Sequence, residues 1–363
     1  MTTDQRDLPA PRRERLLELL RHRGSARVTD LAALLDVNAV TVRRDLARLE
    51  NDGLIERTHG GASIPAALSL SLPNPLAAGL SEGQIAMLVP GLDFYWPEVA
   101  RGVEARARQL GLRLLLRGHS YESEDERPAL SPLFEADDVR GVIAVPNTKG
   151  PHAAEVMAWL AAQPAPSVLV EREAQIGPSG EPVESVVTDH ALGAAMGVWH
   201  LWNLGHRRLG LVVSPTSPTT SKIKVGWQRA CDELAAEDAF AVHIPNHRTP
   251  GFGAALEEVI GRCDETGATG LLVHSDREAM GLVQQLESHG RRVPDDISIV
   301  AYDDELAGLF TPALTAVRPA RQALGAAAVD LLVARFEDPD RPVHRVVISP
   351  QLSIRESTAA PPA

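Results

Sequence analysis

The sequence predicts an α/β protein in two parts: a small N-terminal winged helix-turn-helix, then a larger domain of two Rossmann-like lobes. Three observations carry that expectation. Residues 38–52 have a capped amphipathic helical pattern, with shorter helical patterns before it and a strand-turn-strand signal after it. From Gln84 onward, short apolar runs alternate with helical stretches, as in parallel sheets covered by helices. Between the two parts, residues 64–83 (IPAALSLSLPNPLAAGLSEG) hold prolines and small residues that break any period and read as a linker.

Taken in order, residues 11–23 open on Pro11, present Leu16, Leu17, Leu19 and Leu20 as an apolar side and stop at Gly24, which predicts a first helix. Thr29 is expected to cap a short second helix, DLAALLD. Asn38 caps the third, whose stripe of Val42, Leu46 and Leu49 faces inward. At about 100° per residue, Val40, Thr41, Arg44 and Arg48 fall on the opposite side with Arg43 beside them. Short groups next to guanidinium forks suit base edges and phosphates. Gly53 then ends the helix, Leu54 to Thr58 reads as a strand, and His59-Gly60-Gly61 turns into a second strand to make a wing.

Beyond the linker come IAMLVP, LRLLLRG, GVIAVPN, SVLVERE, LGLVVSP, AFAVHI, GLLVHS and ISIVAYDD, separated by helices expected at 152–162, 189–204, 224–236, 252–265 and 276–288, among others. Roughly ten strand candidates exceed one comfortable sheet, hence two lobes.

The chain has 363 residues and a net charge of −12, but the charge is unevenly distributed. Residues 1–62 hold 11 Arg and 10 acids, a net +1, so the remainder carries −13. Such a body repels phosphate and leaves nucleic-acid contact to the head. Lysine occurs only at 149, 222 and 224. No apolar stretch nears the ~20 residues of a membrane span and no signal-peptide core opens the chain, so a cytoplasmic protein without membrane contact is expected. Cys231 and Cys263 have no zinc-ligand spacing and read as ordinary thiols; no metal and no cofactor is expected. Neither a Gly-rich phosphate loop nor an HExxH motif is present, which argues against an enzyme.

In open α/β sheets ligands bind beyond the carboxyl ends of strands. The residues there include Asp93, Tyr95 and Trp96; His119; Asn147 and Thr148; Glu171 and Arg172; Ser214 to Thr220; Ser275 and Asp276; and Asp303. Carboxylates, hydroxyls, a guanidinium and aromatic faces suit a polyhydroxylated ligand. Each position also has a structural alternative: Tyr95 and Trp96 as lobe core, Glu171-Arg172 as an ion pair, Asp276 as a helix cap.

TVRRDL at 41–46 and GLIERTHGGA at 53–62 resemble the DNA-binding head of DeoR-type bacterial regulators, with Asn38 where that family usually has Ser. The resemblance implies that Thr41, Arg43, Arg44 and Arg48 meet DNA and that Arg57, His59 and Gly60 hold the wing near the backbone; Val40 joins the DNA-contact candidates by its place on the outward face. Residues 84–356 resemble the effector domain of LacI/GalR-type repressors, itself similar to type I periplasmic sugar-binding proteins. The segments that carry this are PGLDFYWPEVARGVE, VLVER, TDHALGAAMGVWHLWNLGHRRLGLV, HSDREAMGLVQQLESHGRRVPDDISIVAYDD and PALTAVRPARQALGAAAVDLL. The resemblance implies effector contacts at Tyr95, Trp96, Arg172 and Asp303, with Ser275-Asp276 at the family's Asn-Asp position; Asp93, Asn147 and Glu171 join the candidate set by their strand-end positions. The chain departs from the pattern at Ser275 (for Asn), Ile223 (for Arg) and Pro319 (for Gln). Lys222 and Lys224, beside Ile223, join the candidate set as possible partners of an acidic or phosphorylated ligand.

The expected organisation is a DNA-binding head at 11–63, a linker at 64–83, and an effector domain at 84–357. Its first lobe takes 84–183 and 316–338, its second 184–315 and 339–357, and 358–363 is a disordered tail. The expected function is a regulator, a repressor by default, that binds double-stranded operator DNA as a homodimer or tetramer and is released by a sugar-like effector. A cytoplasmic sugar-binding or sugar-modifying protein with no DNA role is the alternative.

Overall fold

The computed structural model describes residues 15–16, 20, 25–35, 37–51, 55–58, 61–63, 83–120, 123–136 and 138–362. The expected linker, His59, Gly60 and most of the first expected helix lie outside the described residues, although 15, 16 and 20 are helical. Two compact units separate near residue 81.

In the first unit, β1 (Ser25–Arg27) leads into α1 (Val28–Leu35), α2 (Ala39–Asn51), β2 (Glu56–Thr58) and β3 (Gly61–Ser63). The two wing strands pair antiparallel, Glu56 opposite Ser63 and Thr58 opposite Gly61, and β1, which the sequence did not signal, adds to the far side of β3. Leu16, Leu20, Leu31, Val42, Leu46, Leu49 and Ile55 make the core, so the inward stripe of α2 is the one its period predicts. Thr29 does not cap α1. The helix begins one residue earlier, and the Thr29 hydroxyl donates to Asp30 at 3.3 Å.

The second unit has two six-stranded sheets. The first sheet is built from β4 (Gly83–Pro90), β5 (Leu112–His119), β6 (Val139–Ala144), β7 (Ser167–Val170), β10 (Ser185–Thr188) and β16 (Arg345–Ile348), all parallel, in the order β16-β10-β7-β6-β4-β5. Its helices are α3 (Tyr95–Gln109), α4 (Arg127–Phe134), α5 (Ala153–Ala161) and, from the other end of the chain, α10 (Arg321–Glu337); β8 (Gln175–Ile176) and β9 (Glu181–Pro182) form a small hairpin. The second sheet comprises β11 (Arg208–Val213), β12 (Glu237–His243), β13 (Gly270–Val273), β14 (Ser298–Tyr302), β15 (Thr315–Arg318) and the antiparallel β17 (Gln351–Ser353). Around it lie α6 (His190–Leu204), α7 (Thr220–Leu234), α8 (Phe252–Thr266) and α9 (Asp276–Ser288). The centres of the inner strands β4, β6, β11, β13 and β14 are apolar and buried, as parallel sheets covered on both faces require, whereas β5, β12 and β16 are partly exposed. None of the described helices is long and apolar enough to cross a membrane.

The chain passes between the sheets at residue 189, at 319–320 and at 349–350. This corrects the expected lobe boundaries: β10 lies in the first lobe although the break was placed at 184, and β16 joins it although 339–357 was assigned to the second. Both are four-residue strands, and β16 is a half-exposed edge, so neither carries a long apolar signature. Glu184, buried just before β10, pairs with Arg335 of α10 and with Arg341, which ties the two edge segments together. The expected disordered tail is likewise corrected. Thr358 bonds to His200 at 2.9 Å, and the Ala359 carbonyl bonds to His206 at 2.9 Å, so the chain continues as a packed segment across β14. Cys231 and Cys263 are free and buried, and burial pushes both thiols up to about 12.

Close helix contact fixes both lobes. A Cβ on Gly226 of α7 would sit 1.9 Å from the Ala191 carbonyl oxygen of α6, and one on Gly325 of α10 would sit 2.1 Å from that of Val99 in α3.

Candidate functional site

On the head, α2 separates its two faces cleanly. The Asn38 carboxamide oxygen accepts from the Thr41 amide and from the Thr41 hydroxyl, both at 2.8 Å, which satisfies an orphan donor of the first turn. Val40 is 61% exposed, and Arg43, Arg44 and Arg48 are exposed with it, while Val42, Leu46 and Leu49 are buried. Thr41 is half-buried, with its hydrogen given to the cap. Arg57 lies on β2 opposite Ala62. A row of exposed guanidinium groups beside an apolar Val40 can meet phosphates and base edges together.

In the second unit the strand-end residues divide between two cavities. The larger, about 590 Å³, is lined from the first lobe by His119, Glu126, Asn147, Thr148, Lys149, Glu171, Arg172 and Glu173, and from the second by residues 215–218, Thr220, Ser221, Lys222 and Lys224. The smaller, about 110 Å³, is lined by Phe94 and Tyr95 of the first lobe and by Asn246, His247, Ser275, Asp276, Arg277, Asp303 and Glu305 among others. Asp93 is exposed and lines neither.

Glu171 links the two cavities. Held at φ +56 by the end of β7, it turns its carboxylate inward, where it accepts from the Tyr95 hydroxyl, from the Thr188 hydroxyl at 2.6 Å and from the Thr188 amide at 3.2 Å, with His190 Nε2 also 3.2 Å away. Burial pushes this carboxyl up, but the hydrogen bonds from His190, Thr188 and Tyr95 outweigh it and hold the pKa at about 2. His190 continues to the Tyr302 hydroxyl at 3.1 Å, so the chain of polar groups spans the crossover at residue 189. Burial pushes the Tyr302 phenol well up, keeping it neutral.

Asp276 is 3% exposed, and its two oxygens accept from the amides of 304, 305, 306 and 307 at 2.6–3.2 Å. Burial, with Asp303 beside it, raises its pKa to about 6. It therefore braces the turn after β14 while lining the small cavity. Ser275 forms a capping box with Glu278, its hydroxyl donating at 2.6 Å. Asp303 lines the small cavity, 3.9 Å from His274. Burial and then Asp303 raise Glu305 to about 7, against the pull of Arg321.

Trp96 is corrected from cleft to core: it is 3% exposed and packs edge-on against Tyr95. Neighbours on a helix point about 100° apart, so Tyr95 and Trp96 cannot share a face. The second aromatic at the cleft is Phe94, which the sequence did not single out. The Arg277 guanidinium of the second lobe lies 4.3 Å from its ring centroid. Lys149, Glu126 and Glu173 were also missed. Arg172 donates to the carbonyls of Pro146 and Glu171 at 3.1 and 2.9 Å, Lys222 pairs with Glu173 at 2.8 Å, and the Lys224 ammonium donates to His243 Nε2 at 2.8 Å.

Residues 12–67 match the DeoR-like helix-turn-helix domain, and residues 198–358 match the periplasmic binding protein-like domain. The transcriptional regulator MalR of Streptomyces coelicolor is 30% identical over 358 residues, covering 93% of this chain and 98% of that protein. The ribose operon repressor of Escherichia coli is 25% identical, over 78% of this chain and 86% of that one. Among solved structures, a LacI family regulator of Enterococcus faecium with bound ribose superposes with a TM-score of 0.62 at 24% identity, covering 76% of this chain and 99% of that one.

Proposed function

Because this chain belongs to the LacI-type family of HTH-type transcriptional regulators, we propose that it is a ligand-responsive repressor of carbohydrate genes, with its DNA-binding head at 11–63 and its effector site in the cleft of the domain that follows. The observation that carries this reading is the cavity of about 590 Å³ lined from both sheets, of a size suited to a small polar ligand. A molecule that touches Asn147 and Arg172 on one side and Ser221 and Lys222 on the other binds the closed arrangement of lobes better than an open one, and shifts the population accordingly. A relative named as a ribose operon repressor and a solved neighbour with bound ribose support a sugar or sugar derivative as the effector.

In this reading Val40, Arg43, Arg44 and Arg48 contact operator DNA, with Thr41, Arg57, His59 and Gly60 supporting them. Two heads of a cytoplasmic homodimer read a two-fold operator. Effector and DNA affect each other by on the order of 1–3 kcal/mol. In this reading the cleft serves binding, supported by the carboxylates of Glu171 and Asp276 being taken up by hydrogen bonds within the fold.

Fluorescence anisotropy on DNA from upstream of its own gene, with excess nonspecific competitor and a panel of sugars, tests the proposal. Competitor-resistant, salt-sensitive binding that one compound weakens is expected. Absence of binding, or binding that the nonspecific competitor abolishes, would refute the regulatory reading and favour a stand-alone sugar-binding protein.

A further inference from the structure

The proposed effector site has a chemical bias. Lysine occurs only three times in 363 residues, and Lys149, Lys222 and Lys224 all line the large cavity, although they come from both lobes. The remainder of the chain beyond the head carries a net −13, so this convergence runs against the charge of the body around it. Lys149 has no ion-pair partner among the described residues, and the Lys224 ammonium donates to the ring of His243. Lys222 shares Glu173 with Arg345, and the hydrogen bond from Lys222, with the two nearby cations, lowers the pKa of that carboxylate against its partial burial. The carboxylate of Glu171 is likewise held by its own donors. The amino end of the fifteen-residue α7 meets the same cavity with Thr220 and Ser221.

A second observation concerns the body of the ligand. Glu126, 1% exposed, lines this cavity; one carboxylate oxygen accepts from the Asn147 amide at 2.9 Å, and the other has no hydrogen-bond partner among the described residues. A buried carboxylate oxygen in that position calls for a donor, which a ligand hydroxyl supplies.

We infer that the effector is a polyhydroxylated compound bearing an anionic group, a phosphate monoester or a carboxylate, with the anion among Lys149, Lys222, Lys224 and the start of α7 and its hydroxyls toward Glu126. This rests on the effector-binding reading of the cleft. Lysine ammonium groups bind such anions as mobile point charges, and the cavity has room for both parts.

Calorimetric titration of the full chain tests it with pentoses and hexoses, their terminal phosphates, their aldonates, and inorganic phosphate. The variant is Lys149→Gln/Lys224→Gln, which leaves the Lys222–Glu173 pair intact. One anionic derivative should bind about tenfold or more tightly than its neutral parent, and the double variant should lose about tenfold for that derivative and less than about twofold for the parent. The winning derivative identifies phosphate or carboxylate. Equal affinity for neutral parent and anion, an unchanged double variant, or no binding across the panel at millimolar concentration would each overturn the inference. Inorganic phosphate binding as tightly as the sugar phosphate would overturn its polyhydroxylated part. A neutral sugar that releases operator DNA would strike this inference and leave the regulator standing. An anion preference without operator binding would do the reverse.

Discussion

The head and the effector cleft assign work to their polar residues in opposite ways. On α2 the fold is held by Val42, Leu46, Leu49 and the Asn38 cap, while Val40, Arg43, Arg44 and Arg48 stand outside it. In the cleft, Glu171, Ser275 and Asp276 line cavities and also hold the backbone together. A helix can divide function from fold by angle alone, because its faces turn with a fixed period. A cleft at strand ends cannot, since the loops there leave amides that only nearby side chains can satisfy. Substitutions should therefore cost stability in the cleft and affinity on the head.

The largest effect is expected at Asp276. Asp276→Ala strands the amides of 304–307 in a buried place and should lower unfolding free energy by about 3–5 kcal/mol. Chemical denaturation measures it; a loss under about 1 kcal/mol with a collapse of ligand affinity would reverse the assignment and make Asp276 a ligand contact.

Glu171 should follow, and its effect carries a pH signature. Its folded pKa lies at about 2, below the ordinary glutamate value, so the stability it contributes is present above pH ~4.5 and is lost as pH falls toward 2. Glu171→Gln should cost on the order of 2–3 kcal/mol at pH 7, with the gap to wild type closing through that acidic window. A gap independent of pH would show that shape rather than charge is what the position supplies.

The same contrast explains what the sequence disclosed. Asn38 and the inward stripe of α2 were legible because capping and helical period are local. The lysines at 222 and 224 were legible through their place in a resemblance, whereas Lys149 lies in the turn just past the strand-end residues Asn147 and Thr148 and carries no signal of its own. Phe94 and Trp96 exchanged roles because the start of α3 sets which neighbour faces the cleft, and strand-end position alone does not contain that angle. β10 and β16 were hidden for another reason: their pairing, Ser185 with Arg345 through Thr188 with Ile348, joins segments 160 residues apart.

Arg44 tests the head. Arg44→Ala should weaken operator binding by about 1–3 kcal/mol and flatten its salt dependence, with the melting temperature unchanged. A fall in melting temperature equal to that of a cleft variant would break the contrast, because it would make this guanidinium part of the fold.

The smallest effect belongs to Thr41, a head residue that crosses the divide. The Thr41 hydroxyl gives its hydrogen to Asn38 Oδ1, so on free protein it can offer DNA only lone pairs. A phosphate has no hydrogen to give them, and contact with it would require the hydroxyl to leave the cap. Thr41→Val keeps the shape and the amide-to-cap bond but removes that choice. It should lower stability by about 0.5–1 kcal/mol, seen as faster amide exchange in the first turn of α2, and leave operator affinity within about twofold. If affinity falls tenfold while exchange is unaltered, the hydroxyl turns to DNA on binding, and the head too shares residues between fold and function.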